Sequence, residues 1–174
     1  MHALFFDMQP KAGHMTHYFA HVDRLRPLLA AHPGLLYLER FRPLDQPDAI
    51  LSHQHWADEA AIRAWRCDGT HRDSQAAGRA IHFEQYRIRV GPEVQPDGAG
   101  RFVVAAYGSA AAGPGRVHES VTRPGRFLTL AEAGQGDVAR ALVASARADG
   151  AEEVRVFGVS RDYTLTDRAE APAL

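Results

Sequence analysis

The spacing of apolar residues changes several times along the chain, and each change marks an element. Ala3 to Met8 is a short apolar run ending before Pro10, and it predicts a strand that Lys11-Ala12-Gly13 turns away from. Met15, Tyr18, Phe19, Val22, Leu25 and Leu29 recur at helical spacing and predict a helix as far as Ala31, where His32-Pro33-Gly34 breaks it. Leu35 to Leu44 and Asp48 to Trp56 read as two strands joined through Asp45-Gln46-Pro47. Asp58 is a candidate N-cap for a helix carrying Ala61, Ile62 and Trp65, and a second helical piece runs from Thr70 to Ala77 until Gly78 stops it. Ala80 to Val90 alternates as a fourth strand. The order is β-α-β-β-α-β, in which two helices cover one face of an antiparallel sheet.

Gly91 to Gly100 has three glycines, two prolines and little to bury, and it reads as a linker over residues 92–99. Beyond it the order recurs: strands are expected over Arg101 to Ser109, Arg116 to Thr122 and Arg126 to Ala133, then a helix over Asp137 to Ala148, then one closing strand over Glu153 to Leu165. Between the first two of these strands, Ala110 to Gly115 is too short and too broken for the helix expected there. The chain therefore divides into a unit over 1–91, the linker, a degenerate second unit over 100–166 and a flexible tail over 167–174. The expected fold is α+β: two ferredoxin-like units in tandem, the second lacking its first helix. Each sheet leaves one apolar face uncovered, so the two units are expected to close a barrel inside one chain, with homodimerisation a lesser alternative.

Composition narrows the function. With 174 residues and 45% hydrophobic content the chain can bury a core. Its 20 Lys+Arg against 21 Asp+Glu give a net charge of -1, which supplies no field for gathering nucleic acid or anionic lipid. The longest apolar runs fall short of the roughly 18 residues that cross a bilayer. Met1 to Asp7 lacks a basic start and a cleavage site, so the chain is read as mature sequence and expected in the cytoplasm. One cysteine, Cys67, forms neither an intrachain disulfide nor a thiolate cage. As a nucleophile activated by His71 it lacks a third, orienting group. No phosphate-cradling glycine motif is present, and nothing supports a flavin or nicotinamide.

Several polar groups have spacing that suits chemistry. His71, Gln75 and Arg79 stand at i, i+4, i+8 and share one helix side. There a histidine suits a general base near neutral pH, removing a phenolic proton while Arg79 stabilises negative charge; the alternative is a histidine capping a break in the helix and an arginine paired with a carboxylate. Trp56 and Trp65 suit the walls of a flat aromatic site, with core packing the alternative for both. His53 and His55 share a strand face, with His82 on a neighbouring strand completing an imagined nitrogen-ligand set, but no carboxylate joins them and no metal is expected. His14, His17 and His21 fall on one flank of the first helix and read as a solvated face.

Ser52-His53-Gln54-His55-Trp56-Ala57-Asp58-Glu59-Ala60-Ala61-Ile62-Arg63-Ala64-Trp65, together with Pro33-Gly34-Leu35 to Glu39-Arg40, His71-Arg72, Gly78-Arg79 and Tyr86 to Val90, resembles the antibiotic biosynthesis monooxygenase family of dimeric α/β barrels. The likeness covers most of residues 3–90. It implies a monooxygenase that oxidises a small aromatic or polyketide-like phenol with dioxygen and without a cofactor; the likeness supplies Trp56 as a catalytic residue, the helix row adds His71 and Arg79, and Trp65, Gln75, Ser52 and Phe6 are expected to bind substrate. In the quinone-forming branch the strand tryptophan matches Trp56. The asparagine four residues earlier is Ser52 here, the helix tyrosine is Ile62, and the arginine falls near Ala76, with Arg79 the closest cation. The haem-degrading branch has two tryptophans at the spacing of Trp56 and Trp65, but its ligating histidine falls at Gln75 and its first-strand asparagine at Phe5 or Phe6. The alternatives kept open are a haem-binding relative and a non-catalytic barrel that binds a small ligand.

Overall fold

The computed structural model describes residues 1–172. The chain runs β1 (His2–Pro10), α1 (Met15–Ala30), β2 (Leu35–Pro43), β3 (Ile50–Trp56), α2 (Glu59–Cys67), α3 (Gly69–Ala77), a π-helical turn (Gly78–His82), β4 (Phe83–Pro92), β5 (Ala99–Gly108), β6 (Arg116–Ser120), β7 (Phe127–Gln135), α4 (Gly136–Ala148), β8 (Glu153–Gly158) and β9 (Arg161–Thr164). Asp58 caps α2 by accepting a hydrogen bond from the Ala61 amide at 2.8 Å, and Asp68 caps α3 through the His71 amide at 2.9 Å.

All strands join one antiparallel sheet in the order β8-β5-β7-β6-β2-β3-β1-β4-β9. Read outward from the β6/β2 junction, each half repeats the same order, β2-β3-β1-β4 in the first and β6-β7-β5-β8 in the second. The fold is thus two ferredoxin-like units related by a pseudo-two-fold axis, and the second has the loop Ala110–Gly115 in place of its first helix. At the junction Phe41 lies opposite Ser120 and Pro43 opposite His118. At the far side the sheet curls back on itself: Glu93 bridges Phe157, and the Val94 amide donates to the Val156 carbonyl at 2.9 Å.

The two faces of each strand do different work because side chains alternate across a sheet. Ala3, Phe5, Phe41 and Leu51 from the first unit meet Val103, Leu128 and Phe157 from the second in the barrel lumen, all nearly or fully buried. On the outer face of the first sheet, Met8 packs against Tyr18 and Val22 of α1, and Trp56 and Val90 pack against Leu29, Ile62 and Trp65. Phe102, Val104 and Val156 pack against Ala139 of α4 on the second sheet. The lumen also takes a charge: Glu39, 4% exposed, accepts from Tyr37, Ser120, Arg123 and Arg126, which ties β2 to the second unit. Those hydrogen bonds hold its carboxyl below the usual carboxylate range against the opposing effect of burial.

Four expectations need correction. The single closing strand over Glu153 to Leu165 is two strands on different partners, β8 against β5 and β9 against β4. The chain changes partner at Gly158 to Ser160, where the Val159 amide donates to Arg101 and the Ser160 amide to Val90. This crossing needs Gly91, since a Cβ there would lie 1.5 Å from the Gly158 carbonyl oxygen. The fourth strand starts at Phe83 rather than Ala80, because Gly78–His82 forms a π turn closed by the Phe83 amide on the Gly78 carbonyl. The linker over 92–99 takes part in barrel closure through Glu93 and Val94. The tail is docked over 168–171: Arg168 donates to the Tyr86 hydroxyl, Glu170 accepts from Arg101 and from the Asp162 amide, and Ala171 packs beside Tyr163. Residues 173 and 174 of the expected tail lie outside the described residues.

A core shared by both units makes them unfold together. Both tryptophans lie in the first unit, so tryptophan fluorescence and far-UV circular dichroism should report one coincident urea transition. Phe5→Ala and Leu128→Ala, from opposite units, should each lower that transition by about 3–4 kcal/mol. Separate transitions would show that the units fold independently.

Candidate functional site

Between the outer face of the first sheet and helices α1 to α3 lies a cleft of two adjoining lobes, each of about 120 Å³. Phe6, Gln54, Trp65, His71, Gln75 and Phe83 line both lobes. Arg79 borders one lobe, and Ser52 and Arg40 border the other. Strand alternation explains the floor, since Ser52 and Gln54 face the helices while His53 and His55 face the lumen. The i, i+4 row on α3 supplies the wall, and the π turn carries it on to Arg79. A Cβ at Gly78 would lie 2.5 Å from the Phe83 ring, so the turn's first residue fixes how closely β4 approaches α3.

His71 is the best-defined polar group of the wall. Its ring stacks on Trp65 with centroids 4.3 Å apart and an interplanar angle of 17°. Its Nδ1 lies 2.9 Å from the Trp65 carbonyl oxygen. A carbonyl can only accept, so Nδ1 carries the proton and Nε2 keeps the lone pair. The Gln75 side-chain nitrogen stands 3.1 Å from Nδ1 and 3.4 Å from Nε2, and with Nδ1 protonated its N–H can donate only to Nε2. Burial pushes the His71 pKa below its ordinary value, against the opposing pull of the Trp65 carbonyl and Asp68, so the ring is neutral at pH 7. Arg79 makes no hydrogen bond or ion pair with another described residue, which leaves its guanidinium for a ligand.

Six of the residues expected at the site therefore come together: His71, Gln75, Arg79, Trp65, Ser52 and Phe6. Trp56 does not join them at the surface of the cleft. It is fully buried against His32, and its Nε1 donates to Gln54 Oε1 at 3.0 Å, while Gln54 Nε2 donates to Ser52 Oγ at 3.1 Å. Trp56 thus reaches the cleft only by orienting Gln54. Sequence reasoning missed Gln54 itself, and the available signal was a polar residue on the helix-covered face of a strand. It also missed Arg40, whose Nε donates to the buried Tyr18 hydroxyl at 3.1 Å.

The imagined set of His53, His55 and His82 does not form, because His82 ends the π turn on the helix side of the sheet. His53 and His55 instead enter the lumen beside Tyr107 of the second unit. The Tyr107 hydroxyl lies 2.6 Å from His53 Nε2 and 3.3 Å from His55 Nε2, and the two nitrogens are 3.0 Å apart. His53 also stacks on Phe5 at 4.4 Å. Burial holds His53 well below its ordinary value, and His55 is pushed down to about 4 by burial and by Arg155. A cavity of about 680 Å³ at one mouth of the barrel is larger than the cleft, but most of its arginines are already held by carboxylates. Arg89 pairs with Asp7 at 2.5 Å and with Glu132 at 2.8 Å, and Arg87 pairs with Glu132 and Asp162. The cleft, mostly apolar with a few convergent polar groups, is the better candidate.

The family model described as antibiotic biosynthesis monooxygenase matches residues 1–77. A jasmonate monooxygenase from Pyricularia oryzae is 35% identical over 91 residues, 52% of this chain and 42% of that protein, so the chain spans less than half the length of that relative. The uncharacterized protein YqjZ of Bacillus subtilis is 31% identical over 80 residues, 46% of this chain and 68% of that protein. The chain belongs to the antibiotic biosynthesis monooxygenase family. Among solved structures, protein SO0527 from Shewanella oneidensis aligns with 51% of this chain and 86% of its own at a TM-score of 0.48 and 15% identity. An anthrone oxidase-like protein aligns with 99% of this chain and 96% of its own at a TM-score of 0.43 and 9% identity. Among the described residues no helix is long and apolar enough to cross a membrane.

The lumen histidines make stability depend on acid. A group whose folded pKa is depressed gives an unfolded chain that binds more protons, so stability is lost as pH falls below the unfolded value near 6.5. Between 6.5 and about 4, His55 alone should remove about 3 kcal/mol of unfolding free energy, and His53 should add to the loss in the same direction. Urea unfolding measured from pH 7 to 4 checks this, and His55→Gln should flatten the slope.

Proposed function

We propose that the chain is a cofactor-independent monooxygenase that oxidises a small aromatic or polyketide-like phenol in the first-unit cleft. The observation that carries this reading is a neutral His71, its lone pair placed on Nε2 by the Nδ1 hydrogen bond, beside the same apolar lobe as Arg79, which has no partner among the described residues. Phe6, Trp65 and Phe83 supply flat walls for an aromatic ring. Nε2 takes the phenolic proton, and the phenolate so formed is electron-rich enough to reduce dioxygen. Arg79, Gln75 and Gln54 supply donors and charge where negative charge develops on oxygen. In the net reaction one atom of dioxygen becomes a quinone carbonyl and the other leaves as water. All four electrons come from the substrate, so no external reductant is required.

Two features support a reading without haem. Gln75, an amide, occupies the position of the haem-ligating histidine, and two lobes of about 120 Å³ divided by side chains fall short of the several hundred Å³ typical of larger ligands. In this account Trp56 acts as a positioning residue through Gln54.

A panel of phenols and naphthols tests the reading, with product quinone followed by absorbance. Jasmonate belongs in the same panel, because a relative carries its name. His71→Ala should lower kcat by about 10²–10⁴-fold with little change in KM, as expected for a lost base. The wild-type kcat should be flat through neutrality and fall on an acidic limb below 6.5, since protonation removes the lone pair. Trp56→Phe, which releases Gln54, should lower kcat by a smaller factor than His71→Ala does. No quinone from any phenol, or full turnover in His71→Ala, contradicts the proposal; jasmonate turnover alone overturns the phenol class.

A further inference from the structure

Four histidines cluster at the rim of the cleft, on the side away from His71. The sequence places His14, His17 and His21 on one flank of α1, where a solvated face is the simplest reading. The π turn changes that by delivering His82 against them. The His82 carbonyl accepts from the Lys11 amide at 2.9 Å, which fixes the end of the turn beside the start of α1. π turns inside or after helices recur at functional sites, because the extra residue redirects a side chain that regular helix would aim elsewhere.

The resulting geometry is regular. The ring centroids of His14, His17 and His82 are 5.3 Å apart in each of the three pairs. One ligand nitrogen from each ring falls within 4.8 Å of the other two, and His14 Nδ1 and His82 Nδ1 are 3.0 Å apart. A zinc–imidazole bond of about 2.1 Å sets the ion about 3.2 Å from each ring centre, and tetrahedral angles then separate the centroids by about 5.2 Å. The ring spacing fits this arrangement, and small side-chain rotations bring the most distant nitrogens into range. His14 stands at the N-cap of α1 yet makes no capping hydrogen bond, so its ring is not committed to the helix end. His21 is separately engaged with Ser74 Oγ at 3.2 Å, and its ring lies 5.5 Å from that of His82.

We infer that His14, His17 and His82 form a binding site for one divalent transition-metal ion of the zinc, nickel or copper kind, with a fourth position left open beside His21. Three neutral imidazoles without a carboxylate suit these borderline ions and not magnesium or calcium. Bound there, the ion joins the first turn of α1 to the π turn and so fixes the wall that carries Gln75, Arg79 and Phe83. The inference does not depend on the oxidation of phenols, because its readout is binding.

The test uses the full chain without an affinity tag, stripped with a chelator. Calorimetric titration with zinc chloride above neutral pH should give one ion per chain with a micromolar or tighter Kd. Cobalt(II) should give visible bands of four-coordinate intensity. His17→Gln and His82→Gln should each weaken zinc binding by about 100-fold, because two remaining imidazoles hold the ion poorly. His2→Gln, at the opposite end of β1, should bind as the wild type does, and unchanged far-UV spectra would show that the metal-free variants are folded. Zinc should also raise the melting temperature of the wild type and not that of His82→Gln. Absence of binding, a millimolar Kd, or equal affinity in His17→Gln and His82→Gln overturns the proposal, whatever the phenol panel shows.

Discussion

Each four-stranded sheet of this chain has helices on one face only, and the other face must be covered by something apolar. That requirement organises the whole molecule. Phe5, Phe41 and Leu51 cannot be left in water, and neither can Val103, Leu128 and Phe157; the two sets cover each other and make one lumen. The β2/β6 junction and the Glu93–Phe157 bridge are the edge contacts this packing brings together, and they leave little open edge for a further strand. Loss of a helix from the second unit is tolerated because the lumen is made by strands. The loop Ala110–Gly115 stands in its place while the sheet order stays intact.

Face-to-face packing also divides chemistry between the two sides of the first sheet. Residues of odd number on β3, Leu51, His53 and His55, enter the lumen, where the two Nε2 atoms meet the Tyr107 hydroxyl of the other unit and burial keeps both rings neutral. Residues of even number, Ser52, Gln54 and Trp56, face the helices and form a short chain of hydrogen bonds ending in the cleft. The lumen pairs Glu39 and the histidine Nε2 atoms with neighbouring side chains, and it buries His53 Nδ1 and His118 Nε2 without a hydrogen-bond partner among the described residues. The cleft sets the His71 lone pair beside the Gln75 side-chain amide and holds Arg79, which has no partner among the described residues. The candidate reactive site is distinguished by a neutral imidazole and a guanidinium that border one apolar lobe.

Much of the fold is legible in the sequence because its elements follow local rules. The 3.6-residue spacing from Met15 to Leu29, the Asp58 cap and the break at Gly78 each act within a few residues. The His71, Gln75, Arg79 row is likewise legible, since it needs only a helix and the turn after it. What depends on distant contacts is hidden. Residues 153–165 alternate as one strand, and only the tertiary crossing at Gly91 and Gly158 shows that they serve two edges. The run from Ser52 to His55 is polar on both faces, so alternation could not say which side held the site, and the role of Gln54 stayed concealed. The placement of His82 is hidden because a π turn has no distinct composition. Docking of Arg168 and Glu170 depends on Tyr86 and Arg101, in strands distant from the tail in sequence, as well as on the Asp162 amide of the adjoining β9.

The central claim is that a small aromatic ligand occupies the cleft under α3 and not the charged mouth of the barrel. The most direct measurement is a nuclear magnetic resonance titration of labelled protein with 1-naphthol in the absence of turnover, following side-chain amide, indole and imidazole signals. The account predicts saturable shifts at Trp65 Nε1, at the Gln54 and Gln75 side-chain amides and at the His71 ring, with His53, His55 and Arg116 unmoved. Shifts centred instead on Arg87, Arg116 and His118, or none that saturate, would contradict it.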